Sequence, residues 1–396
     1  MSEILRTTFT VTAMSLRNIW QRRSATFVSL TGICGVVLVV VAVLAMAEGF
    51  RATLEMAGSE DVAIVIRGGS SSEMSSVLSQ EDVNIVTNAS GIASDADGPL
   101  TSAEFFATVD VAKRSTNTWA NVPIRGIEKQ GAKIRPHFRL VAGRMFESGR
   151  NEIIVGVGAS RAFAGLDLGA TLVSGANRWL VVGLFSDNGS VAESEIWTDV
   201  RVLQGSYRRG SSFQTARVKL NSEAAFAAFR DALTSDPRLN VTVKTERAYF
   251  ADQSRSLTGL IRGAGVMIAI LMGAGAVFGA LNTMYSAVAV RAREIATLRA
   301  LGFGAIPIIV SVLAEAILIG LVGGLVGGGI AYAAFNGYQA STLNMDTFSQ
   351  VTFAFAVTPA LLTAGIGYAL LLGLVGGLMP AVRAVRQPIV AGLRAV

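Results

Sequence analysis

Arg291-Ala-Arg-Glu-Ile-Ala-Thr-Leu-Arg-Ala-Leu-Gly-Phe303 is the stretch on which the reading of this chain turns. It follows directly on an apolar run, Gly263 to Val290, long enough to cross a bilayer, and the next such run begins close to Pro307. Its charges are Arg291, Arg293, Glu294 and Arg299, while Ile295, Leu298 and Leu301 recur at i, i+3 and i+6. That spacing predicts a short amphipathic helix on a membrane face, its arginines near headgroups or a partner. Gly302 fits a helix stop, and Phe303 follows it.

The whole composition agrees. The 396 residues are 51% hydrophobic and 16% charged, with a mean hydropathy of +0.50, too apolar for an ordinary soluble protein. A pI of 9.8 suggests nucleic acid until the charges are located. Arg6, Arg17, Arg22 and Arg23 precede the first apolar run, Arg291, Arg293 and Arg299 follow the second, and Arg383, Arg386 and Arg394 follow the last. Residues 48–257 carry 23 Lys/Arg against 24 Asp/Glu, so the basic excess belongs to three short membrane flanks. This is the positive-inside pattern and argues against nucleic-acid binding.

Four spans are expected: 25–47, 258–290 (apolar from Gly263), 306–335 and 353–379. The first is too long for a cleavable signal peptide and ends in no clear cleavage pattern. Residues 1–24 read as a cytoplasmic segment, with Ile4, Leu5, Phe9, Leu16, Ile19 and Trp20 as an amphipathic helix at the interface. Residues 48–257 then lie outside, 291–305 inside as the short helix, 336–352 outside as a short loop with Asp346 as its only charge, and 380–396 inside. The fold class is therefore an integral membrane α-helical protein with a large extracytoplasmic α+β domain between helices one and two. Lipids are its immediate surroundings.

That external segment is long enough for its own core. Val62–Ile66, Phe105–Val111, Val122–Ile127, Glu152–Val155, Trp179–Phe185, Ala216–Leu220 and Val241–Lys244 read as strands. Ser222 is placed to cap a helix carrying Phe226, Phe229 and Leu233, stopped near Pro237. The Gly/Ser-rich stretch 68–76 reads as a flexible tip or linker. Residues 245–260 read as a helical stalk running into the second span.

The inventory of chemistry is short. No G-x-x-x-x-G-K-[ST] loop occurs, so ATP and Mg2+ are expected in a partner chain and no cofactor in this one. The single histidine, His137, cannot build a His-rich metal site, and the single cysteine, Cys34, lies in the first span, so no disulfide is expected outside. No catalytic or metal site is expected, and the chain is read as non-enzymatic. The glycine run 320–329 sits within a span without an acidic ribose partner, which argues against a dinucleotide loop. Gly275/Gly279, Gly320/Gly324 and Gly373/Gly377 are small pairs at i and i+4 that bring helices close, within the chain or in a dimer. Two polar groups lie inside spans. Glu315 is roughly 13 Å into the third at ~1.5 Å per residue, facing protein or water, bonded to a neighbouring helix or arginine or else coupled to protons or substrate. Asn282 reads as an interhelical hydrogen bonder.

The R-x-R-E-I-x-x-L-R-A-L-G run of residues 291–302 closely resembles the coupling segment of FtsX/MacB-like ABC-transporter permeases, and Glu315-Ala-Ile-Leu-Ile-Gly320 resembles the acidic position before their glycine-rich stretch. The ending Gly377-Leu-Met-Pro-Ala-Val-Arg-Ala-Val-Arg-Gln-Pro388 is similar too, with Pro380 read as closing the span. One large external domain followed by three close spans is also that family's layout. The resemblance implies a permease in the bacterial inner membrane with both termini cytoplasmic, working with two ATPase subunits and a second permease copy or paralogue. Residues 291–303 would dock on the ATPase. Export with a periplasmic adaptor is the favoured role; lipoprotein extraction and signalling to cell-wall hydrolases are the alternatives.

Overall fold

The computed structural model describes Thr12, residues 23–175 and residues 177–390. The amphipathic N-terminal helix expected over residues 4–20, and the basic residues Arg6, Arg17, Arg22 and Arg394, lie outside them. In chain order the elements are α1 (Arg23–Met56), β1 (Val62–Arg67), α2 (Gln80–Thr87), β2 (Ser94–Asp95), β3 (Gly98–Pro99), β4 (Thr101–Ala112), β5 (Trp119–Ile127), α3 (Gly131–Ile134), β6 (Arg139–Gly143), β7 (Glu152–Gly156), α4 (Val157–Ala162), β8 (Thr171–Ser174), β9 (Asn177–Ser186) and β10 (Ile196–Asp199). Then come α5 (Val200–Ser206), β11 (Thr215–Lys219), α6 (Ala225–Ser235), β12 (Val241–Thr245), α7 (Glu246–Val290), α8 (Ala292–Ala300), α9 (Ala305–Phe335), β13 (Gln339–Asn344), β14 (Ser349–Ala354) and α10 (Pro359–Arg386). They form two units: a membrane unit (1–48, 260–338 and 355–396) and an external unit (49–259 and 339–354).

The external unit is built on a ten-stranded mixed sheet in the order β12-β1-β11-β4-β5-β10-β7-β9-β6, with β8 on β9. Each of the seven runs expected as strands falls on one of these. β4 is the seam. Its residues 101–104 pair with β11 and its residues 105–112 pair with β5, so one long strand joins an antiparallel lobe to a mixed one. It is buried along most of its length, as a strand covered on both faces must be. Phe105, Val122, Ile153, Trp179, Phe213 and Phe229 belong to its main core. A second cluster stacks Phe185 on Trp197 at 4.1 Å between ring centroids, with Phe138 at 5.6 Å from each.

Three expectations for this unit are corrected. The stretch 68–76 is not a flexible tip: Ser72, Glu73 and Ser76 are buried, because Glu73 is drawn into an ion cluster described below. Ser222 does not cap α6 through its side chain. Its carbonyl accepts from Ala225 N at 3.1 Å in a preceding turn, and the helix starts a residue after Ala224 without a side-chain cap. The helix does stop where expected, since Asp236 precedes Pro237 and is extended at ψ 116°.

The segment 336–352 is a β-hairpin belonging to the external unit rather than a plain loop. Val351 and Phe353 alternate with polar neighbours and are buried, which sets the register. Phe353 meets Phe50 edge-on at 5.6 Å, Ser194 Oγ accepts from Thr352 N at 2.8 Å, and Asn121 Nδ2 donates to Phe348 O at 3.2 Å. The fourth membrane helix therefore begins at Pro359, with Thr358 accepting from Leu361 N, rather than at 353. Pro380 does not close it. The helix runs through that residue to Arg386.

Among the described residues, four helices are long and apolar enough to cross a bilayer: Thr26–Met56, Glu246–Val290, Ala305–Phe335 and Pro359–Arg386. Ile33, Val37, Val41, Met284, Ala316, Ile319 and Ala369 gather α1, α7, α9 and α10 about one apolar centre. A Cβ on Gly320 would sit 2.7 Å from Ala369 O, on Gly324 2.8 Å from Ala369 Cβ, on Gly373 2.6 Å from Ala316 O and on Gly377 2.5 Å from Ala316 Cβ. These two pairs lock α9 against α10 within one chain. Gly275 and Gly279 differ, for a Cβ on either meets nothing within 4 Å.

Candidate functional site

The segment 291–303 folds as its sequence predicts in its ends and departs from it in its faces. Arg291, at φ −94° and ψ 6°, breaks the backbone between α7 and α8. Leu301 closes α8, Gly302 takes φ +93°, Gly302 N donates to Arg299 O at 3.1 Å, and Phe303 N donates to Leu298 O at 3.1 Å. Those two bonds make a Schellman stop, which demands glycine for its backbone alone.

The apolar stripe divides. Ile295 is buried against Val288, Ile308, Val312, Ala381 and Ala384, Leu298 is half-buried, and Leu301 is 71% exposed. The expectation that all three face a partner is corrected: a helix this close to α9 and α10 spends Ile295 on its own chain. The outward face is Arg293, Thr297, Ala300 and Leu301, continued by Ile306.

Charge fixes the inner side. Arg291 is buried and reaches Glu294 through Nε at 3.1 Å and Nη2 at 3.2 Å, with Nη1 3.7 Å from Glu315 Oε2. Glu315 is thus a buried partner to an arginine of the α7–α8 break. Arg299 Nη1 donates to Gln387 O at 2.6 Å and ties α8 to the end of α10. Asn282 is exposed, because Ala280, Met284 and Val288 take the packed face of α7, so the expected interhelical bond is not formed by that side chain within the chain.

The other end of α7 holds a larger ion cluster that sequence reasoning missed. Arg125 in β5 lies at its centre, 1% exposed, donating to Glu73 at 2.9 Å, Glu104 at 2.9 Å and Glu195 at 2.8 Å. Arg135 pairs with Glu104 at 3.0 Å and covers the Trp197 ring at 4.6 Å. Arg217 in β11 pairs with Glu73 at 3.3 Å, with Glu104 at 3.1 Å and with Glu246, the first residue of α7. The hydroxyl of Tyr249, about one turn on, accepts from Glu73 N at 2.9 Å.

Burial opposes charge throughout, and the arginines decide the outcome residue by residue. Despite burial, Arg135, Arg217 and Arg125 hold Glu104 down to about 2, and Arg125 and Arg217 hold Glu73 below the usual carboxylate range. Burial prevails at Glu246, which is pushed up although Arg217 and Arg135 attract it. The signal available in sequence was weak: Glu104, Arg125 and Arg217 interrupt strands that are otherwise apolar, but nothing in spacing pairs them.

No group of three or more His, Cys, Asp or Glu able to hold a metal occurs among the described residues. His137 is exposed and Cys34 is a free thiol.

The description "MacB-like periplasmic core domain" matches residues 26–236, and "FtsX-like permease C-terminal" matches residues 266–389. Among solved structures, the periplasmic region of MacB from Actinobacillus actinomycetemcomitans is similar at 16% identity and a TM-score of 0.38, covering 49% of this chain and 92% of that one. The extracellular domain of the noncanonic ABC-type transporter YknZ from Gram-positive bacteria is similar at 15% identity and a TM-score of 0.35, covering 46% of this chain and 100% of that one. No curated protein matches the sequence.

Proposed function

Because this chain belongs to the FtsX/MacB-like ABC-transporter permeases, we propose that it carries the nucleotide-driven movement of a separate ATPase pair to its external unit, in the service of export. It is an ABC-transporter permease subunit of the bacterial inner membrane, and in its family the ATPase is a partner subunit. One observation supports transmission above all. α7 is a single helix of 45 residues that starts at Glu246 in one buried ion cluster and stops one residue short of α8. A continuous helix transmits displacement along its axis with little loss, because each turn is hydrogen-bonded to the next.

In this reading Arg293, Thr297, Leu301 and Ile306 meet the ATPase, which binds ATP and Mg2+. Arg291, Glu294 and Glu315 make α8 move with α7 and α9. The external unit meets a periplasmic adaptor, and a second permease copy completes the assembly. Both termini are cytoplasmic and residues 48–257 are outside, as the basic flanks require.

Replacing Leu301 by Asp tests the contact. Burying an unpaired charge costs several kcal/mol, so co-purification of the ATPase should fall at least tenfold, while the external unit stays folded. Arg293→Glu should weaken association in a salt-dependent way. ATPase association at wild-type level in both variants would remove the assignment. Orientation is tested separately, in a Cys34→Ala background, by labelling Ser211→Cys and Met345→Cys, both at exposed positions. Each should react with an impermeant reagent from outside right-side-out vesicles; reaction only from the cytoplasmic side would reverse the topology.

A further inference from the structure

Beside the large ion cluster the external unit has a partly open cavity of about 60 Å³, lined among others by Met56, Arg135, Asp187, Glu195, Arg217 and Glu246. The buried charges around it do not balance. Glu73, Glu104, Glu195, Glu246 and Asp187 are all under a tenth exposed, and so are the only three arginines they share, Arg125, Arg135 and Arg217. With every group ionised, two negative charges remain. The arginines are already committed: Arg135 to Glu104, Arg217 to Glu73, Glu104 and Glu246, and Arg125 to Glu73, Glu104 and Glu195.

The excess concentrates at Asp187. It is 6% exposed, its Oδ2 accepts from Ser190 Oγ, and its Oδ1 is buried without a hydrogen-bond partner in the protein. Glu193 adds negative charge from the same turn, its Oε1 accepting from Asp187 N at 2.8 Å. The carbonyl end of α1, at Met56, Ala57 and Gly58, also lines the cavity and carries partial negative charge. His137 at the lining is exposed to solvent. Leaving a buried carboxylate oxygen unpaired is expensive, and a cation is the natural occupant of such a space. The cavity has room for a small ion together with some of its water. A chelated divalent ion is disfavoured, since no three metal-holding side chains converge among the described residues.

We propose that this cavity is a binding site for a small monovalent cation, of the size of sodium, potassium or ammonium, held by Asp187 and the negative end of α1. Burial pushes both Asp187 and Glu246 up, against the pull of the neighbouring arginines, which agrees with carboxylates only partly compensated. The site lies where α1 leaves the external unit and α7 starts, so occupancy would stiffen both roots.

The purified full chain in detergent, held at pH 7.5 and constant ionic strength, should melt several degrees higher in sodium, potassium or ammonium chloride than in choline chloride, and the gain should saturate with concentration. Asp187→Asn should weaken that response at least tenfold in concentration and should itself raise the melting temperature in choline. Equal melting of the wild-type chain in all four salts overturns the proposal, whether or not the variant folds. So does a cation response unchanged by Asp187→Asn. Stabilisation by acidification alone, with no cation response, overturns it as well, since a proton is then the occupant.

Discussion

The two ends of α7 are both held by buried arginine–glutamate contacts, yet they are built in opposite ways. At the coupling end Arg291 meets Glu315 and Glu294, the latter three positions on in the same turn. At the external end seven residues take part, drawn from positions 73 to 246, and Arg125 and Arg217 are each shared among three carboxylates. A small local contact can be remade when α8 shifts. A network joined through shared arginines cannot lose one of them without stranding several carboxylates. The difference fits a helix with a fixed root at one end and an adjustable contact at the other.

Removing the hub of the network should show the largest effect. Arg125→Leu leaves Glu73, Glu104 and Glu195 without their shared cation in a site closed to water. Breaking a buried pair in this way costs about 3–5 kcal/mol. The external unit should then lose its cooperative melt, followed through the fluorescence of the buried Trp197, or unfold many degrees below the wild-type chain. A loss under ~1 kcal/mol would mean that the carboxylates find water or protons, and the fixed root would be an illusion.

Acid titration comes next. Glu104 is held down to about 2 in the folded protein against an ordinary 4.5, so its contribution is complete above about 4.5 and is lost as the pH falls through that value toward about 2. By linkage the whole contribution is about 3 kcal/mol for this fully buried group. Glu246 works in the other direction. Its carboxyl is raised, so protonation favours the folded state, and stability rises as the pH falls through the raised value toward the unfolded one. The external unit should therefore be most stable in mild acid and fail below about pH 4. Glu246→Gln should reduce the rise on the mild-acid side, to which Asp187 also contributes, and leave the collapse below it. A melting temperature flat from neutrality to pH 3 would show that neither carboxyl is held as the geometry indicates.

How much of this was legible follows from sequence distance. Residues 291–303 gave up the helix and its stop at Gly302, because the bonds that make them span five positions or fewer, but not the burial of Arg291, which was expected near headgroups or a partner. What they could not give was which side of the stripe turns inward, since Ile295 is buried by α9 and α10, far along the chain. Seven strands of the large sheet were readable from their apolar runs, whereas β6, β8 and β10 were missed. The cluster within the sheet was not readable, because Arg125 and Glu195 are 70 positions apart and no local rule pairs them. The hairpin at 339–354 was missed for a different reason. Its alternation of Val351 and Phe353 with polar residues was visible, but it ran without a break into the apolar start of α10 and was absorbed into the span. The glycine pairs show the same limit: Gly320/Gly324 and Gly275/Gly279 have identical spacing, and only the structure separates a locked face from an open one.

The smallest effect is expected at the adjustable end, and it tests whether Glu315 serves structure or chemistry. Its carboxylate is buried, 3.7 Å from Arg291, while Arg291 also has Glu294 at 3.1 Å. Glu315→Gln keeps the shape and a hydrogen-bond acceptor, and Arg291 retains one carboxylate, so the loss in assembly should stay near 1 kcal/mol, the net worth of an ordinary hydrogen bond. ATPase association and stimulation should remain within a few-fold of wild type. Glu315→Leu should do more harm, because it removes the acceptor and takes a carboxylate away from a buried arginine. The ratio between the two variants carries the argument. A structural carboxylate makes Gln mild and Leu severe. A proton carrier makes both equally inactive, because an amide cannot exchange a proton at working pH. If Glu315→Gln abolishes transport while the complex assembles and hydrolyses ATP normally, the coupling end is a proton site, and its likeness to the fixed root at Glu246 is superficial.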